Sequence, residues 1–204
     1  MFIRTESFRQ FIRLFPIVSI ILAFNIFVYL LYVLSNSIHL EWITALINAG
    51  VGYNIAVSDG QWWRLITPLF LHFTFSHILF NSFSIFLFAP ALETILGKGK
   101  FAVAYFGSGI ISDFLTYIFG GPSFPPYIGS SSAIFGLFGI YLFIVFLRRD
   151  MIDRINRQTI GIILIFSLVM TFFSPGIDIL GHLFGLLGGF ILAPLLLIKK
   201  ARRL

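Results

Sequence analysis

Long apolar stretches separated by short polar clusters organise this chain. Six stand out, at 15–34, 69–92, 101–119, 130–147, 159–173 and 179–198. A bilayer core is about 30 Å thick and takes roughly 20 apolar helical residues, so each stretch predicts a spanning helix, the fifth being the shortest. The predicted fold class is therefore all-α, a polytopic membrane protein with a six-transmembrane-helix bundle at 15–198. A basic amphipathic segment precedes it at 1–14 and a basic tail follows at 199–204. The first stretch has no small-residue cleavage site and is followed by further spans, so it reads as a retained helix and not a signal peptide. Between the first two spans, 35–68 is mixed, with Glu41, Asp59, Arg64 and three tryptophans, Trp42, Trp62 and Trp63. Tryptophan favours the headgroup level, which places this segment in or on the membrane interface.

Charge gives the expected orientation. Of the 14 Lys and Arg, Arg4, Arg9 and Arg13 precede the first span, and Lys98 and Lys100 join the second to the third. Arg148, Arg149, Arg154 and Arg157 join the fourth to the fifth, and Lys199, Lys200, Arg202 and Arg203 follow the sixth. Six spans put all of these on one side and only Arg64 on the other, so the positive-inside bias predicts cytoplasmic termini in a multi-pass protein of the cell membrane. The net charge of +6 thus reads as topology, and no nucleic-acid partner is expected. With 58% hydrophobic and 11% charged residues, the chain is too apolar for a soluble domain. It has no cysteine, which excludes disulfides, thiolate metal sites and a cysteine nucleophile.

Polar groups inside spans are costly and point by default to a site or to helix-packing contacts. The conspicuous ones are His72, His77 and Asn81 on span two, Asp113 in span three, Ser130, Ser131 and Ser132 opening span four, and His182 in span six. Asn81 lies 17 residues before Lys98, Ser131 lies 17 before Arg148, and His182 lies 17 before Lys199. Three helices therefore carry them to one level, roughly 25 Å above the cytoplasmic boundary. His77 and Asn81, four apart, share a face. Small-residue ridges at Gly181, Gly185 and Gly189, and at Gly129, Ala133 and Gly136, would let spans four and six approach closely. That approach would bring Ser131 and His182 within hydrogen-bond reach.

Serine attacks a carbonyl only when a base takes its proton, and histidine is the usual base. The resulting oxyanion needs donors, which His77, Asn81 and the free backbone N–H of Ser131 could supply. Bland readings stand beside this one. A serine run at a helix start is commonly a cap, and a histidine in a span commonly packs or relays protons. Asp113 reads as a local polar contact near the outer end of span three. No carboxylate or thiolate completes a zinc set with the histidines, so neither metal nor cofactor is expected.

The motifs together resemble the rhomboid family of intramembrane serine proteases. Gly129-Ser130-Ser131-Ser132-Ala133-Ile134-Phe135-Gly136 resembles its serine motif. Residues 71–81, with His77 and Asn81, resemble its second-helix motif, and Gly181-His182-Leu183-Phe184-Gly185 its sixth-helix motif. Trp63-Arg64 is similar to the family's first-loop signature, and Glu93 to the glutamate closing its second helix. The match runs in order from Gln61 to Gly189. It implies a Ser131–His182 dyad without an acidic member, and an oxyanion site of His77, Asn81 and the Ser131 amide. Phe135 stands where many members stack a tyrosine on the base, and Ser132 where glycine is commoner. By the same resemblance, the substrates are single-span membrane proteins cut near their outer ends. The fifth span and the loop 173–176 are expected to form a movable gate. Two rivals use the same residues, a rhomboid-like binder that does not cut and a small transporter with a polar path. The sequence does not set the oligomeric state.

Overall fold

A computed structural model of the chain describes residue 2, residues 5–173 and residues 176–198. Arg4, Ser174, Pro175 and the tail 199–204, with Lys199, Lys200, Arg202 and Arg203, lie outside the described residues. Those described form α1 (Phe8–Leu14), α2 (Pro16–Ser37), α3 (Glu41–Asn48), α4 (Asn54–Ser58), α5 (Phe75–Leu96), α6 (Lys98–Gly120), α7 (Ser131–Leu147), α8 (Arg154–Phe173) and α9 (Ile179–Leu196). Among them there is no strand, only one isolated bridge between Gly52 and Tyr127.

Five helices, α2, α5, α6, α8 and α9, are long and apolar enough to cross a membrane, and α7 is a shorter apolar helix of 17 residues. The apolar stretches therefore correspond to helices, with two boundaries to correct. The second was expected from residue 69, but its helix starts at Phe75. Thr67–Phe70 form a 3-10 turn there, with Pro68 near its start, and Thr74 caps α5 by accepting from the His77 amide at 3.3 Å. His72 consequently precedes α5 and is not on it. The fifth helix is not short, since Arg154 to Gln158 extend it to 20 residues. Polar residues at an interfacial helix end continue a helix without adding to its apolar run.

α6, α7 and α9 form the centre, and α7 and α9 meet with almost no side chain between them. A β-carbon on Gly185 would overlap the Ser132 carbonyl oxygen, one on Gly189 the Gly136 carbonyl, and one on Gly139 the Leu186 carbonyl. Gly136 also faces Ser108 of α6. Small residues let backbones approach where apolar attraction between helices is absent because lipid is equally apolar. The expected ridges hold for Gly185, Gly189 and Gly136. Gly181 instead abuts the Asp178 carboxylate that caps its own helix, and Ala133 packs towards Gly109 of α6.

Buried polar contacts fasten the ends. Glu93, 3% exposed at the end of α5, accepts from the amides of Ile17 and Val18 at 3.1 and 2.9 Å, satisfying the first turn of α2. A carboxylate suits that site because the amides there are unpaired and the helix dipole is positive. Lys100 Nζ at the start of α6 donates to the carbonyls of Leu196 and Ile198 at the end of α9, at 2.6 and 3.0 Å. The opening of α2, the α5–α6 junction and the close of α9 thus share one end of the bundle. α1 begins with a capping box of Ser7 and Gln10 and packs Phe11 on Phe86 at 5.0 Å, so it is tied to the bundle. α8 is the outlier: only Ile160, Leu164 and Thr171 are buried, while Ile162, Ile165, Phe166, Phe172 and Phe173 face outward.

The glycine contacts give a differential expectation. Gly189→Val should lower stability by about 1–3 kcal/mol or more through overpacking against backbone. Gly161→Ala, on α8 with open space around it, should be neutral or stabilising by up to about 1 kcal/mol. Thermal unfolding in detergent micelles reads both, and equal effects would contradict the packing described.

Candidate active site

Ser130 ends the loop into α7 as its N-cap but makes no side-chain bond to the helix, so Ser131 opens α7 with a first turn whose amides are not capped by it. The first amides of a helix have no partner within it. Gly129, just before, has φ +112°, a conformation that disfavours any side chain, and its amide donates to the Pro68 carbonyl at 2.8 Å. A β-carbon on it would lie 2.5 Å from His77 Nε2 and 3.4 Å from Asn81 Nδ2. The serine turn and the inner face of α5 are therefore in direct contact, and glycine is what permits it.

His182, 7% exposed, is the fourth residue of α9. Asp178 caps this helix, its Oδ1 accepting from the Gly181 amide at 2.8 Å. Burial pushes the Asp178 carboxyl above the usual aspartate range, with the amides of Gly181 and Leu180 pulling the other way. The imidazole stacks on Phe135, centroids 4.0 Å apart and planes 15° from parallel. Phe135 is one turn along α7 from Ser131, hence on the same face. Such a stack contributes about 0.5–1.5 kcal/mol beyond burial, enough to bias the ring's orientation severalfold. The other edge is held by Thr171 of α8, whose Oγ1 lies 2.8 Å from His182 Nδ1. Ser131 Oγ and His182 Nε2 form no hydrogen bond with each other among the described residues, although Ser131 and Phe135 share a face.

His77 is half-buried, its ring 4.8 Å from that of His72. Asn81 Nδ2 donates to His72 Nε2 at 2.9 Å, and Ser130 Oγ lies 3.4 Å from the same nitrogen. His72, 1% exposed, thus holds the Asn81 amide from behind. Ser132, beside Ser131, is buried, and its carbonyl faces Gly185.

The remaining residues singled out in the sequence stand elsewhere. Trp63 Nε1 donates to Ala49 O at 2.9 Å, and Arg64 donates to Val51 O at 2.5 Å, to Asn48 O at 3.3 Å and to Gln61 Oε1 at 2.7 Å. Both fasten the segment between the first two spans. Glu93 lies three turns beyond Asn81 on α5, about 18 Å along the helix, at the start of α2. Asp113 is buried on α6, and the Nδ1 edge of His182 is occupied by Thr171. Two contacts of the site are not legible in the sequence. Thr171 gave no signal, because threonine in a membrane helix commonly bonds back to its own preceding turn. His72 was noticed, but its bond to Asn81 depends on an extended backbone just ahead of α5. Among the described residues, no group of three His, Asp or Glu is placed to hold a metal ion.

A profile for the Rhomboid domain matches residues 59–199. The chain is 48% identical over 203 residues to the Bacillus subtilis protein named "Putative rhomboid protease YdcA", covering the full length of both. It is 34% identical to "Rhomboid protease GluP" of the same organism over 85% of this chain and 33% of that protein. It is 33% identical to "Rhomboid-like protease 1" of Toxoplasma gondii over 86% of this chain and 63% of that protein. A profile over most of the chain and a full-length relative agree with an all-helical, membrane-spanning fold: the chain belongs to the rhomboid family of intramembrane serine proteases.

Proposed function

We propose that the chain cleaves single-span membrane proteins near the outer face of the cell membrane, with both of its own termini cytoplasmic, through a dyad of Ser131 and His182. The observation that carries this reading is the stack of His182 on Phe135, one helical turn from Ser131 at the uncapped start of α7. A substrate carbonyl over Ser131 would meet a hydroxyl, a base and unpaired amides together. Bonds of this kind are often open in the free enzyme and close around substrate.

The reaction runs in two halves. His182 Nε2 takes the Ser131 proton as Oγ attacks the carbonyl carbon, and the carbonyl oxygen becomes an oxyanion. The Ser131 amide, His77 and Asn81 donate to it, and stabilising charge that develops in a site of low dielectric is commonly the largest catalytic contribution. The imidazolium then gives its proton to the leaving amine, and the peptide C–N bond breaks, leaving an ester on Ser131. Water repeats the sequence, giving its proton to His182 and its oxygen to the acyl carbon, and Ser131 regains its hydrogen. Water must reach this level of the bilayer, which supports a hydrated pocket at the outer ends of the helices.

One observation favours a second reading, the 3.4 Å contact between Ser130 Oγ and His72 Nε2. Ser130 is 0% exposed and His72 1%, and the same nitrogen already accepts from Asn81. A fully enclosed hydroxyl has no path to a substrate carbonyl, so this contact reads as support for the serine turn.

A fluorophosphonate probe in detergent separates these readings. Labelling and cleavage should vanish in Ser131→Ala and His182→Ala and persist in Ser130→Ala. Loss at Ser130 with retention at Ser131 would transfer the nucleophile, and absence of labelling in wild type would favour a non-cutting binder. Asn81→Ala should slow turnover by about 10–10³-fold while the protein stays folded, as for an oxyanion donor. An unchanged rate would remove it from that role.

A further inference from the structure

Helix α8 packs Ile163 and Leu168 partly against the core and fully buries three residues on one face, Ile160, Leu164 and Thr171. Two are apolar, as expected of a helix whose outer side meets lipid. The third is a threonine, 2% exposed, and its hydroxyl meets the imidazole of His182.

A hydroxyl has one proton and two lone pairs. Thr171 Oγ1 lies 2.9 Å from the Ser167 carbonyl oxygen, one turn back on α8, and 2.8 Å from His182 Nδ1. A carbonyl oxygen only accepts, so the proton of Thr171 goes to Ser167. The contact with His182 then requires Nδ1 to donate. A neutral imidazole with its hydrogen on Nδ1 carries its lone pair on Nε2, which is the form able to take a proton from serine.

We infer that Thr171 is the positioning residue for the catalytic base: its hydroxyl accepts from Nδ1–H of His182 and thereby fixes the tautomer and the ring orientation. This rests on the reading of His182 as the base and assigns to an uncharged side chain the part that a carboxylate plays in three-membered serine protease sites. Phe135 fixes the plane of the ring and Thr171 its rotation within that plane. The same hydrogen bond persists when His182 becomes cationic, so the site needs no buried negative charge, which at membrane depth would be expensive. Because Thr171 belongs to α8, the base is set only while the outer end of α8 is docked against α9.

The test uses the full chain, labelled with ¹⁵N-histidine in detergent micelles, with the His182 ring signals assigned by their loss in His182→Gln. Long-range ¹H–¹⁵N correlations should show the Nδ1–H tautomer in wild type and in Thr171→Ser, and a mixture in the near-isosteric Thr171→Val. With a fluorophore-labelled single-span peptide as substrate, Thr171→Val should lower kcat by about 10–100-fold, as for other residues that fix a histidine tautomer from behind, with KM unchanged. Thr171→Ser should stay close to wild type. An Nε2–H tautomer in wild type overturns the inference regardless of how any variant folds. So does a Thr171→Val protein that keeps both tautomer and kcat, or a Thr171→Ser protein that loses kcat as Val does. Failure of the dyad itself would register separately, as turnover surviving His182→Ala.

Discussion

The backbones of α7 and α9 run so close that Gly139, Gly185 and Gly189 have no room for a β-carbon, and the geometry of the site follows from that contact. In water such an approach would be driven by apolar burial. Within lipid it depends on fit, since a side chain that packs imperfectly against a neighbour packs equally well against an acyl chain. Glycine removes the side chain and leaves carbonyl oxygens of one helix against α-carbons of the other. With the helices held there, a residue at the start of α7 and one near the start of α9 lie in fixed relation. Across this contact the ring of Phe135 on α7 stacks on that of His182 on α9, with centroids 4.0 Å apart.

Much of this was legible in the sequence, and the reason is depth. Residues at equal distance from basic boundaries on alternate spans are expected at one level, which groups Ser131, His182 and Asn81 in the sequence. The glycine ridges were legible because close approach has a compositional signature. Gly181 broke the pattern because a capping carboxylate, Asp178, occupied the space that a neighbouring helix would have filled. The start of α5 was misjudged because apolar residues do not distinguish a helix from an extended segment leading into one. That extended segment carries His72 to Asn81, a bond the apolar pattern does not show. Thr171 stayed hidden for another reason. Its significance lies in which lone pair of a hydroxyl faces which nitrogen, and periodicity carries no such information.

Rigidity and looseness are divided by helix. The central trio of α6, α7 and α9 carries the serine, the histidine and the stacking phenylalanine, with polar side chains sewn between them: Ser112 Oγ of α6 donates to the Gly181 carbonyl of α9 at 2.6 Å. Tyr141 of α7 donates to the Phe88 carbonyl of α5 at 2.7 Å, tying that helix in as well. α8 has few such ties, and most of its apolar side chains point away from the bundle. A helix held by three fully buried side chains, with Ile163 and Leu168 partly buried beside them, can separate at less cost than one sewn in by buried hydrogen bonds. Ser131 and His182 thus stand on the more tightly tied helices.

The carboxylate of Glu93 has a consequence for how the chain is made. It completes the first turn of α2 from 75 and 76 residues further along. At synthesis rates of about 5–20 residues per second, the ribosome adds that carboxylate roughly 4–15 s after the amides it will pair with. During that interval the first helix can enter the bilayer, but its opening turn must rely on water or lipid headgroups for partners. The glutamate-anchored docking of the first span therefore waits for completion of the second.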